Sequence, residues 1–112
     1  MQNQINTLLE DIKADFVRWA SRGGKEQLTG YFAEKAANYD NLLEVKYGNK
    51  YIKIISDRSV WGFIVNTDKD KKFKKGDILM AAGYNAPARN KARGNVLEGG
   101  YTVQWTGPLY LK

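Results

Sequence analysis

The run Leu43-Glu44-Val45-Lys46-Tyr47-Gly48-Asn49-Lys50-Tyr51-Ile52-Lys53-Ile54-Ile55 decides the fold. Leu43, Val45 and Tyr47 alternate with Glu44 and Lys46, Gly48-Asn49 offers a tight turn, and Tyr51–Ile55 returns as a second strand, which together predict a β-hairpin. Asp57-Arg58-Ser59 is the next turn. Val60-Trp61-Gly62-Phe63-Ile64-Val65 follows with almost no polar residue, so a central strand covered on both faces is expected.

Upstream of Leu42 the period is that of helices. Ile5, Leu8, Leu9, Ile12, Phe16 and Trp19 form an apolar stripe that Gly23-Gly24 ends. A second stripe, Leu28, Tyr31, Phe32, Ala36 and Tyr39, predicts another helix over about residues 25–39. Downstream, a charged connection from Asn66 to Gly76 leads to a short strand at Asp77–Ala82. Residues 83–100 read as loop, and Tyr101–Trp105 as a last strand closed by Gly107-Pro108. The expected architecture is α+β: two N-terminal helices (1–40) packed on a small antiparallel β-meander of four or five strands (41–112), as one domain.

Charge divides along the same boundary. Residues 1–45 carry five Lys/Arg against seven Asp/Glu, and residues 46–112 carry thirteen against five, within an overall net charge of +6. A concentrated positive surface attracts polyanions, so nucleic acid or an acidic protein is the partner class to expect. No apolar run is long enough to span a bilayer and Met1-Gln2-Asn3-Gln4 lacks the features of a signal peptide, so a cytoplasmic protein with no membrane partner is expected. The chain contains no Cys and no His. The usual general base, the usual nucleophile and the commonest transition-metal ligands are therefore missing, and a non-enzymatic protein without cofactor or metal is expected. Oligomeric state stays open.

Two basic segments are the candidate contacts with nucleic acid. In the first, Lys69, Lys71, Lys72, Lys74 and Lys75 surround the apolar Phe73. The lysines could neutralise phosphates while Phe73 stacks on a base. The competing and favoured reading is a solvated turn with Phe73 folded back onto the sheet. In the second, Arg89, Lys91 and Arg93 stand two residues apart, so an extended backbone would point all three the same way. The arginines could equally cap carbonyls or pair with carboxylates around the turn residues Asn90, Gly94 and Asn95.

Asn66, Asp68 and Asp70 open like a calcium loop, but Lys71 stands where Gly is needed and Asp77 where Glu is usual, so the pattern fails. Neither a phosphate loop nor a dinucleotide fingerprint is present. Tyr51, Trp61, Phe63 and Trp105 could form a stacking platform beside Lys50 and Lys53, but large rings at alternating strand positions are expected in the core. Phe73 and Tyr84 are the exposed aromatic candidates.

One resemblance adds to this reading. The succession Lys50-Tyr51-Ile52-Lys53-Ile54, Ser59-Val60-Trp61-Gly62-Phe63-Ile64, Gly76-Asp77-Ile78-Leu79, Ala86-Pro87-Ala88 and Ala92-Arg93-Gly94-Asn95 resembles a family of small uncharacterised proteins of tailed bacteriophages. It covers Lys50–Asn95 and the closing Gly107-Pro108-Leu109-Tyr110-Leu111, and leaves out the helices. The resemblance implies a phage origin and the host cytoplasm, without an activity. The function expected is a binding module that contacts nucleic acid through basic loops. The alternative is an adaptor or inhibitor of an acidic host or viral protein, using the helices or a sheet edge.

Overall fold

A computed structural model describes residues 1–99, 101, 103, 104 and 106–108. Helix α1 spans Gln2–Ala20 and buries Ile5, Leu8, Ile12 and Phe16, the inner members of the predicted stripe. Trp19 departs from that stripe and is 54% exposed, with the edge of Phe32 across it at 5.6 Å between ring centroids. The helix ends where Arg22 and Gly23 turn left-handed and the Gly23 N–H reaches back to the Arg18 carbonyl at 2.7 Å.

The second helix is shorter than its stripe suggests. Helix α2 covers Gly30–Ala37 and buries no residue, and α3 covers Tyr39–Leu42. Gly30 has φ +56°, a conformation that a right-handed helix cannot run through, so residues 25–29 stay outside it. Tyr39 is fully buried, stacks on Phe16 at 4.9 Å and shares a 3.2 Å hydrogen bond with the Ser56 hydroxyl.

Strands β1 (Leu43–Tyr47), β2 (Tyr51–Ser56), β3 (Ser59–Val65) and β4 (Ile78–Leu79) form an antiparallel sheet in chain order, a meander. The first turn centres one residue later than Gly48-Asn49. The Gly48 N–H donates to the Tyr51 carbonyl, and Tyr47 faces Ile52. Between β2 and β3 the register shifts at Ile54/Ile55, and the extra residue on β3 is Trp61. That bulge delivers Trp61 to the helix-side core, where its indole N–H donates to the Gln104 carbonyl at 2.8 Å.

Helix-side packing joins the α1 stripe to Ile52, Ile54, Trp61, Ile64, Ile78, Val96 and Val103. The other face holds a smaller core of Phe63, Val65, Phe73 and Leu79, edged by Tyr51, Val60, Ala81 and Ala92. Strand β3 is thus covered on both sides, as its unbroken apolar run predicts. The strand expected at Asp77–Ala82 divides into β4 and β5 (Ala81–Gly83), and β5 pairs with β6 (Ala86–Pro87) inside the segment expected to be loop. Of the last predicted strand, β7 (Val103–Gln104) pairs with β8 (Gly107–Pro108), so Gly107-Pro108 is a strand partner instead of a closing turn. Trp105 and Leu109–Leu111 lie outside the described residues.

Asp57 and Arg58 link β2 to β3 as a two-residue turn with φ of 51° and 68°. Left-handed backbone at both positions is the geometry that Asp-Gly serves best. Arg58→Gly is therefore expected to stabilise the protein by about 0.5–1 kcal/mol, read as a raised urea midpoint with an unchanged slope.

Candidate functional site

The charged connection after β3 is folded around Asp70. Its Oδ1 accepts the backbone N–H groups of Lys72 at 2.8 Å and Phe73 at 3.0 Å, which closes the chain into a tight turn. That turn drives Phe73 inward. The ring is 6% exposed, within the small core of Phe63, Val65 and Leu79, so it has no free face for a base. The stacking role considered for Phe73 is corrected here, since burial of the ring outweighs leaving it at a solvated tip.

Asp70 also joins the two basic segments. Arg89 grips it with both terminal nitrogens, Nη1 to Oδ2 at 2.9 Å and Nη2 to Oδ1 at 3.0 Å, and Nη1 donates as well to the Tyr51 hydroxyl. The guanidinium carbon lies 5.0 Å from the centroid of Phe73. The Lys72 ammonium closes the contact by donating to the Arg89 carbonyl at 2.5 Å. Residues nineteen apart in sequence are in this way held as one unit.

The Arg89 hydrogen bonds, then the backbone N–H groups of Lys72 and Phe73, hold the Asp70 carboxyl well below the ordinary carboxylate range. Because the folded pKa is the lower one, the folded state binds fewer protons near pH 3–4. The pair's stabilisation is therefore complete above about pH 5, begins to fall as pH passes the unfolded value near 3.9 and is lost progressively as pH drops on towards the lower folded value. Wild type is expected to lose more stability between pH 7 and pH 3 than Asp70→Asn, measured by urea unfolding at both pH values. Equal losses would place the acid sensitivity elsewhere.

Around this unit opens a cleft of about 480 Å³, walled by Asn49, Lys50, Thr67, Lys69 and Lys71 and completed by Asp70 and Arg89. Among the described residues no carboxylate pairs with Lys50, Lys69 or Lys71. Of the candidate residues, then, Lys69, Lys71, Lys72 and Arg89 come together. Lys74 turns instead to Glu98, at 2.7 and 3.0 Å, and Lys75 is exposed, its carbonyl accepting from Asn95.

The row that an extended backbone would make of Arg89, Lys91 and Arg93 does not form, and the arginines instead pair with a carboxylate and cap a carbonyl. Arg89 faces Asp70, Lys91 is exposed, and Arg93 folds back on its own segment through the Lys91 carbonyl at 2.7 Å and the Met80 sulfur at 3.4 Å. The backbone here is held as architecture. The Gly94 carbonyl accepts from Ile78 N–H and the Arg93 N–H donates to the Ile78 carbonyl, which closes the free side of β4. Gly94 has φ +153°, and a Cβ there would stand 2.5 Å from the Cβ of Tyr101. Asn95 is buried, donating to Asp77 Oδ1 and the Lys75 carbonyl while accepting the N–H groups of Leu97 and Glu98. Gly94-Asn95 thus serves the fold.

Two further residues belong to the basic face. Lys46 and Lys53 are direct cross-strand partners, so both side chains emerge on the side that carries Tyr51 and Phe63. Lys53 donates to Asn85 Oδ1 at 2.6 Å and sits 4.1 Å from the ring centroid of Tyr84, which the β5–β6 hairpin holds 54% exposed. The hairpin's alternation carried this signal, but only the observed turn sets Lys46 against Lys53. Tyr51, touched by Arg89, and Lys53 are two residues apart on one strand, so the cleft and the Tyr84 corner adjoin.

Of the three residues Asn66, Asp68 and Asp70 that open like a calcium loop, two are engaged within the fold. The Asn66 amide donates to the Gly48 carbonyl and Asp70 is committed to Arg89. No helix among the described residues is long and apolar enough to cross a membrane. No protein-family model matches the chain, and no curated protein or solved structure shows a significant similarity to it.

Proposed function

We propose that the protein binds nucleic acid through its phosphates, on the sheet face turned away from α1, without catalysing a reaction. The observation that carries this is the convergence of the two basic segments. The Asp70–Arg89 fork places Lys50, Lys69 and Lys71 around one cleft, beside Lys46, Lys53 and the exposed ring of Tyr84. Like charges directly opposite on a sheet, as Lys46 and Lys53 are, destabilise the free protein and are relieved by an anion. Tyr84 supplies the stacking surface that Phe73 cannot, which favours single strands over duplex. A phage origin, as the resemblance implies, would place such a module where viral and host nucleic acids are both available.

Fluorescence anisotropy of a labelled single-stranded oligonucleotide across a salt series tests this. Affinity should fall with salt, and replacing Lys50, Lys69 and Lys71 with Glu should reduce the slope of log K on log salt by about 2, at roughly 0.7 per phosphate. Tyr84→Ala should cost about 1–3 kcal/mol of binding. Absence of binding at low salt would sink the proposal.

The adaptor reading has its own observation. Trp19, Tyr31 and Phe32 leave large aromatic area exposed at the helical end, with 5.6 Å between the ring centroids of successive pairs. A protein partner seated there would bind with weak salt dependence, unlike a polyanion on the basic face.

A further inference from the structure

The two sides of the main sheet end differently. At β4 the backbone of Ile78 is taken up by Arg93 and Gly94. At β1 the Asp57 N–H donates to the Leu42 carbonyl and the Gly48 N–H to the Tyr51 carbonyl. Because an antiparallel ladder alternates, Glu44 and Lys46 also bond inward to β2, whereas Leu43, Val45 and Tyr47 turn their N–H and C=O groups outward. Among the described residues those outward groups have no hydrogen-bond partner.

We propose that β1 pairs antiparallel with β1 of a second copy of this chain, with Val45 opposite Val45 on a two-fold axis, so that two sheets become one. Within the five residues of β1, only that register sets Glu44 against Lys46. Glu44 faces Lys46 of the second copy twice over, in the close non-hydrogen-bonded positions, and Leu43 faces Tyr47, a ring left 58% exposed on the helix-side face. Moving the centre by one residue sets Glu44 against Glu44 or Lys46 against Lys46. A lone lysine on an edge is a guard against pairing, but here its own chain supplies the counter-charge two residues away. The contact is isologous and closed, so it stops at a dimer. Five residues a side bury less than the roughly 1,200–2,000 Å² of a standard interface, so association is weak and concentration-dependent. The axis stands perpendicular to the sheet and leaves both basic faces on one side, although the pairing does not depend on what those faces bind.

Sedimentation velocity from about 10 µM to about 1 mM, the range of weak affinities, should show a monomer–dimer equilibrium. E44K and K46E each create two like-charge pairs and should weaken self-association about tenfold. An equimolar mixture of the two variants should associate again, because each then presents the opposite charges to the other. Val45→Pro removes the central outward N–H and should leave a folded monomer, with circular dichroism reporting the fold. A wild type monomeric throughout, single variants that associate as wild type does, or a mixture that stays monomeric would each overturn the pairing. So would an edge that takes up an added extended peptide while the chain itself remains monomeric.

Discussion

Phe73→Ala is expected to lower stability by about 3–5 kcal/mol, the loss that follows when a buried aromatic ring is truncated and its site collapses only in part. Phe73 is the centre of the small core on the basic face, packed with Phe63, Val65 and Leu79 beneath the Arg89 guanidinium. That loss is a large fraction of the roughly 5–15 kcal/mol that holds a small domain together, so the variant's urea midpoint should fall steeply. Phe73→Leu keeps most of the volume and should remain folded. Its affinity for a single-stranded oligonucleotide should match that of wild type. A ring that stacked on a base would show the reverse pattern, a loss of about 1–3 kcal/mol of binding with stability intact. Urea unfolding and anisotropy on the same two variants decide between these outcomes.

Asn95→Ala should cost about 3 kcal/mol, with Tm lowered by about 12 °C or more. The side chain is 5% exposed and joins three stretches of chain. Its removal strands a buried carboxylate oxygen of Asp77, the Lys75 carbonyl and the N–H groups of Leu97 and Glu98, and each buried orphan carries a desolvation penalty. Asn95→Asp is the sharper probe. It keeps the acceptor for Leu97 and Glu98 but sets a second carboxylate where the amide donated to Asp77 at 2.9 Å. Two carboxylates at that distance share a proton, which raises one pKa. The Asn95→Asp variant should therefore regain stability as pH falls from 7 towards 5, where wild type changes little. Loss of stability by this variant over that range would show that Asp77 and the introduced carboxylate do not interact.

Gly76 belongs to the same junction. It has φ +93°, and a Cβ there would lie 2.8 Å from Asn95 Oδ1, so the turn before β4 and the Asn95 lock constrain one another. The stretches Gly76-Asp77-Ile78-Leu79 and Ala92-Arg93-Gly94-Asn95 meet here in space. Their shared task in this protein is to close the far side of the sheet.

Local patterns determined much of the fold. The spacing of Ile5, Leu8, Ile12 and Phe16 pointed to a helix with one buried face, and the unbroken run Val60–Val65 between turn residues to a strand covered twice. Such features are legible because a buried surface imposes its period on neighbouring residues. The basic half and the lack of His and Cys are likewise properties of composition. Tertiary structure decided the rest. Whether Phe73 faced solvent depended on the Asp70 turn and on a core completed by β4 and Ala92. Which cations were neutralised depended on carboxylates far away in the chain, Asp70 for Arg89 and Glu98 for Lys74. The opposition of Lys46 and Lys53 hung on a turn centred one residue later than its glycine suggested. Pairings of this kind leave no periodic trace, because each is fixed by where distant segments meet and by the cost of leaving a charge or a polar group buried alone.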